Sequence, residues 1–153
     1  MTQKLLLLDA SDNSGNGTVG VSVPRPAWLN LELRVKQAFE FGGSVTLWEA
    51  TVGSDEKIVL GTNLAMEARP GECRLIYSPQ KRLGQKTKVR EWWEPGNAPF
   101  RGTTNFNDHE WDDRSVCRDV SVAIQFFRDF FDNGDLTESS LEQTLSVWDR
   151  KAR

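Results

Sequence analysis

The residues best equipped for chemistry crowd into one segment: Asp108-His109-Glu110-Trp111-Asp112-Asp113 holds four carboxylates and the chain's only histidine. Carboxylate and imidazole groups of this kind ligate divalent cations. Their spacing fits neither an EF-hand loop nor a H-E-x-x-H helix, so they read as solvated loop carboxylates rather than a metal centre. A nucleophilic triad would have to use His109, yet no Gly-x-Ser-x-Gly elbow or cysteine signature accompanies it. Gly15-Asn16-Gly17 and Gly42-Gly43 lack phosphate-loop spacing and are explained as a turn and a helix cap. The sequence therefore points to no catalytic residue and no cofactor. The acidic segment suits recognition better. Trp111 is large enough to anchor an interface, and Asp112, Asp113 and Arg114 can make charge-assisted hydrogen bonds with a basic partner. An alternative of equal weight packs Trp111 under the last helix and pairs Arg114 with a neighbouring acid.

The opposite charge gathers upstream. Lys81, Arg82, Lys86, Lys88 and Arg90 fall within ten residues, and Trp92-Trp93 follow. Basic side chains beside exposed aromatics suit single-stranded nucleic acid. The plainer reading is solvated charge on a loop or edge strand, where lysines also discourage aggregation. The whole chain carries 19 Lys+Arg against 22 Asp+Glu, a net charge of −3, which argues against a protein that coats nucleic acid or an anionic membrane. The longest apolar run, Leu5–Leu8, is too short to span a bilayer or to form a signal-peptide core, so a cytoplasmic location is expected. Cys73 and Cys117 form no C-x-x-C pair and are expected to be reduced and partly buried.

The elements that must position these residues are legible as periodicity. A chain of 153 residues suffices for one globular domain with its own core. Lys4–Asp9 and Thr18–Val23 read as strands of a hairpin around the turn-rich Ala10–Gly17. Pro26 is placed to open an amphipathic helix, Ala27–Phe41, ended by Gly42-Gly43. Leu29 and Leu33 lie off its main stripe and imply a broad core-facing surface. Short strands follow at Ser44–Ala50, Lys57–Leu60, Leu64–Ala68 and Cys73–Tyr77, with turns expected at Gly53-Ser54-Asp55, Gly61 and Pro70-Gly71. Lys88–Trp93 is a further candidate strand, whereas Pro95–Pro99 and Arg101–Thr104 read as loop. Asp119–Asn133 is the clearest element, a helix anchored by four phenylalanines. Gly134 caps it, and a last short helix is expected from Thr137 to about Leu145, with Trp148 continuing its apolar spacing. Short connections imply antiparallel pairing. The expected fold is α+β: a mainly antiparallel sheet of about five or six strands packed on one face by two principal amphipathic helices, with a short C-terminal helix.

The Trp111-Asp112-Asp113-Arg114 segment, the helix Val120–Phe131 and the turn Asn133-Gly134-Asp135-Leu136 together resemble the C-terminal part of a group of small bacterial proteins. That group is related to the immunity proteins of polymorphic toxin and contact-dependent inhibition systems. Pro26-Ala27-Trp28 and Gly42-Gly43-Ser44-Val45-Thr46-Leu47 fit the same pattern, while Gly53–Phe106 lies outside it. The resemblance implies a cytoplasmic protein that binds a cognate toxin domain and blocks it, without catalytic residues of its own. Its motifs encode no mechanism and leave the toxin open. Many such toxins are nucleases with basic substrate sites, which makes residues 108–114 the first candidate interface.

Overall fold

The computed structural model describes residues 2–14, 19–80 and 88–147. Its centre is an antiparallel sheet whose first five strands are β1 (Gln3–Asp12), β2 (Val19–Pro24), β3 (Gly43–Val52), β4 (Ile58–Arg69) and β5 (Glu72–Ser78). Two short strands, β6 (Arg90–Trp92) and β9 (Thr144–Ser146), complete it in the order β2-β1-β3-β4-β5-β6-β9. Between β6 and β9 the chain makes a separate hairpin, β7 (Thr103–Phe106) and β8 (His109–Asp112), then helices α2 (Val120–Asn133) and α3 (Glu138–Leu141). The first helix, α1 (Trp28–Phe41), connects β2 to β3.

Strand alternation separates the two faces of the sheet. Rows in register, such as Leu8, Leu47, Leu64 and Tyr77, and Ala10, Val45, Met66 and Leu75, turn towards α1 and α2. Leu31, Val35 and Ala38 from α1 meet Phe126, Phe127 and Phe130 from α2 over these rows, and all are buried. Burial of three phenylalanines explains why α2 was the most legible helix, since each ring removes a large apolar area from water. Its ends are fixed locally. The Asp119 side chain accepts from Ser121 N–H, and Gly134 adopts the left-handed conformation at φ 70° and ψ 9°.

Where α1 returns to the sheet, Gly43 passes so close to β1 that a Cβ there would sit 2.1 Å from the Ser11 carbonyl oxygen. With φ at +144°, the position accepts only glycine without rearrangement. Gly42-Gly43 is thus both a helix stop and a close-packing point.

Several expectations need correction. Leu29 and Leu33 are 78% and 52% exposed, because the buried stripe of α1 is the narrow one formed by Leu31, Val35 and Ala38. Strand β1 continues through Ala10 to Asp12 before the chain turns. Residues 58–60 and 64–68 are not separated by a turn at Gly61; they belong to the single strand β4, which leaves Lys57 outside it, and Gly61 sits where the pairing with β3 slips at Trp48/Ala50. Thr103-Thr104 open β7 rather than lie in a loop. Within the expected helix 137–145 only Glu138–Leu141 form a helical turn, and Thr144–Ser146 then pair with β6, which widens the sheet to seven strands. Trp148 lies outside the described residues.

Cys73 and Cys117 are free, buried, and directly paired across an isolated antiparallel bridge, with backbone N–H···O distances of 2.8 and 2.7 Å. A hydrogen bond to Cys117, together with burial, pushes the Cys73 thiol far above its usual range. Because both sulfurs are buried, iodoacetamide at pH 8 should leave both thiols of the native protein unmodified and alkylate both in guanidinium. Modification of either at the rate of a free cysteine would contradict this packing.

Candidate functional site

Hairpin β7–β8 lies on the face of the sheet away from the helices, and its position follows from two charges that the sequence buries. Arg74 on β5 and Glu91 on β6 occupy the face opposite Leu75 and Tyr77, because Ile76 pairs directly with Glu91 and Tyr77 with Arg90. Their side chains are 4% and 2% exposed and join through an Arg74 Nη2–Glu91 Oε2 hydrogen bond of 2.7 Å. The ring of Trp111, from β8, closes over the Arg74 guanidinium at 3.5 Å to its centroid. A desolvated guanidinium between a carboxylate and an indole face is a strong anchor. Arg69, whose side chain is 45% exposed, adds a solvated contact, donating to the Asn105 carbonyl and lying 4.8 Å over Phe106.

The turn of the hairpin is Asn107-Asp108, with φ of 51° and 65°. Positive φ at both central residues marks the tight turn whose twist matches the flanking strands, and Asn and Asp tolerate it better than most residues. His109 stands edge-on to Trp111 at 6.2 Å. Asp108, His109 and Glu110 are exposed, although the Glu110 carboxylate also accepts from the Thr103 hydroxyl across the hairpin.

The residues at the base are differently disposed. Asp112 holds Arg114 bidentately, accepting from Nε at 2.9 Å and from Nη2 at 2.7 Å, and it also accepts from the Arg114 backbone N–H at 3.0 Å. Arg114 is buried, donates its remaining Nη1 to Ala98 O at 3.1 Å, and lies 5.0 Å over Trp93. Asp113 accepts from Arg118 at 2.7 Å, from Arg101 at 2.6 Å, and from the Thr104 hydroxyl. These partners, Arg118 first and Thr104 next, hold its carboxyl below the usual range against a smaller opposing effect of burial. Glu94 is held low mainly by its bidentate pair with Arg101 at 2.7 and 2.8 Å.

The candidate segment 108–114 is thus split. Its tip faces solvent, whereas Asp112, Asp113 and Arg114 are engaged within the molecule. Trp111 packs on Arg74 rather than under the last helix. Asp108, His109, Glu110 and Asp112 do not converge on a common point: among the described residues, no group of three or more His, Cys, Asp or Glu side chains is arranged to hold a metal ion.

The basic segment is also redistributed. Lys81, Arg82 and Lys86 lie outside the described residues, and Lys88 is exposed. Arg90 turns inward and donates to Thr144 Oγ1 at 2.7 Å and to Thr144 O at 3.0 Å. Trp92 and Trp93 are 7% and 9% exposed, so the stacking surface expected beside the basic run is absent from this pair. Trp92 belongs to the helix-side core, and Trp93 packs beneath Arg114.

The model of a family of unknown function, DUF6911, matches residues 10–140, a span that contains the whole hairpin and its anchors. The chain belongs to the DUF6911 family. Comparison with curated proteins gives no match. Among solved structures, the DUF6911 chain is similar to a hypothetical protein from Neisseria gonorrhoeae, with a TM-score of 0.60 at 10% identity over 88% of this chain and 92% of that one. At that identity the likeness is one of fold alone.

Arg74, Glu91, Arg69 and Arg101 were missed as site residues in the sequence. The available signal was a charge at an alternate position of an otherwise apolar strand, as in Cys73-Arg74-Leu75, but the partner 17 residues away cannot be read locally.

Glu91→Ala, which strands the Arg74 charge in a buried site, should cost about 3–5 kcal/mol in denaturant melts, and Arg74→Met with Glu91→Leu should recover most of that loss. A double variant as unstable as Glu91→Ala would show that the charges themselves are needed.

For Asp113 the pH dependence has a definite sign. Its folded pKa lies below its unfolded value of about 4, so its contribution is present above that value and lost as pH falls through the folded pKa. Asp113→Asn should lower stability by about 1 kcal/mol at pH 7, a modest figure because Arg101 and Arg118 are partly solvated. The difference from wild type should shrink as pH falls below 4. A constant difference down to pH 2 would show that charge is not what Asp113 supplies.

Proposed function

We propose that the chain is an immunity-type protein that acts in the cytoplasm of the bacterial cell it protects, binding and neutralising a cognate toxin domain with the tip of hairpin β7–β8. The observation that carries this reading is the division within the acidic segment. Asp112 and Asp113 fix the base of the hairpin through Arg114, Arg101 and Arg118, while Asp108, His109 and Glu110 are exposed at its tip.

A tip held by buried anchors loses little conformational freedom on docking, which lowers the cost of association. Its two exposed carboxylates complement a basic surface, such as the substrate site of a nuclease, and favour encounter with it. The resemblance of the Trp111–Arg114 segment and the following helix to a group of small bacterial proteins related to immunity proteins supports the same role. Neutralisation by occupancy asks for shape and charge from this chain rather than a reaction.

Co-expression with the toxin domain encoded next to its gene tests the proposal. The two proteins should co-purify and the host should grow. Asp108→Asn with Glu110→Gln, which keeps a residue tolerant of positive φ in the turn, should weaken the complex about tenfold while leaving the melting temperature unchanged. Failure both to bind and to protect would sink the reading.

A further inference from the structure

The chain has two cysteines, and the fold sets them face to face. Cys73 on β5 and Cys117, in the segment that leads into α2, form an isolated bridge in which each residue's N–H donates to the other's carbonyl. Antiparallel partners that exchange both hydrogen bonds stand about 5.5 Å apart at Cα, inside the range that a disulfide spans. One residue along, the Glu72–Arg118 ion pair at 3.2 Å holds the same register. The sulfurs themselves are joined by a hydrogen bond, and both are free thiols. Recognition by the hairpin tip makes no use of them.

We propose that Cys73 and Cys117 are a dithiol that a peroxide converts, reversibly, into an intramolecular disulfide. The Cys117 sulfur attacks the O–O bond, keeps one oxygen as a sulfenic acid and releases the other as water. The Cys73 sulfur then attacks Cys117: the S–S bond forms, the S–O bond breaks, and the hydroxyl leaves with the Cys73 proton as a second water. The two sulfurs thereby lose two electrons and the peroxide gains them. Cys117 reacts first because the hydrogen bond from Cys73 favours its thiolate, while Cys73 keeps its proton.

Access is a matter of size. Cys117 adjoins Arg118, whose side chain is 47% exposed, on a segment bridged to β5 outside any strand, so a small local opening admits a molecule as small as peroxide. The disulfide adds no atom to the site, whereas an alkyl group would have to be accommodated in a close-packed interior, so protection from iodoacetamide and oxidation by peroxide are compatible. The product has a structural consequence. The chain between the two cysteines carries β6 and the whole hairpin β7–β8. Linking its ends closes that stretch into a loop, which removes freedom from the unfolded chain and staples the base of the hairpin to the sheet.

Reduced full-length protein, freed of reductant and exposed below its melting temperature to a small molar excess of hydrogen peroxide, tests this by peptide mapping without reduction. The Cys73 and Cys117 peptides should appear as one linked species, lighter by two hydrogens than the separate pair, and dithiothreitol should part them. The melting temperature should rise by about 5–10 °C on oxidation and return on reduction. Thiols that both stay free throughout the exposure overturn the proposal. So do cysteines carried to sulfinic acid without a link, a link formed only between two molecules, or a linked protein that melts no higher than the reduced one.

Discussion

A guanidinium held between a carboxylate and an indole ring, with little solvent to screen it, sets the terms for one whole side of this molecule. Arg74 and Glu91 project from adjacent strands onto a face of the sheet that the helices do not cover. Taking two charges out of water is expensive, and their mutual attraction offsets the penalty only when geometry is good and neighbouring groups complete the site. Trp111 completes it by covering Arg74, which requires β8 to lie across β5 and β6. Once Trp111 is placed, Asp112 and Asp113 follow at the foot of the hairpin, where Arg114, Arg101 and Arg118 meet them. The position of the exposed tip is therefore a consequence of a buried ion pair some residues away.

The two faces of the sheet are stabilised by different physics. The helix side is a dry apolar layer in which phenylalanines from α2 interlock with aliphatic rows of the strands, and such contacts are non-directional. They specify that α2 lies on the sheet more strongly than they specify its register. The hairpin side depends on directional groups, several arginines each aimed at a named carboxylate or carbonyl. Bidentate pairs such as Arg101 with Glu94 fix orientation as well as distance. A face that must present a small tip in one geometry benefits from that directionality.

The same contrast explains what could be read from the sequence. Helix α2 was legible because its phenylalanines recur at helical spacing and Asp119 and Gly134 punctuate its ends. The antiparallel sheet was legible where alternation was apolar, as in β5. Strands β7, β8 and β9 were not, because Thr103–Phe106, His109–Asp112 and Thr144–Ser146 hold only one large apolar side chain each, Phe106, Trp111 and Leu145. Their pairing is enforced by partners distant in sequence, such as Arg74 beneath Trp111 and β6 beside Thr144. The acidic cluster was correctly seen as a concentration of charge. Which carboxylates were free was invisible, since that depended on Arg101 and Arg118 arriving from either side.

This last distinction changes how the cluster can act. Four carboxylates in six residues suggest a strong local field, yet two of them are offset by three guanidinium groups at short range. Seen from beyond about 8 Å, the Debye length at physiological salt, the base of the hairpin contributes little negative potential, and Asp108 and Glu110 supply most of what remains. Two exposed carboxylates steer a partner only weakly, so recognition through this tip would depend on fit more than on long-range attraction. Fit requires a tip that holds its shape, and the engaged carboxylates at the base provide that. The charge withdrawn from the surface is what makes the remaining surface rigid.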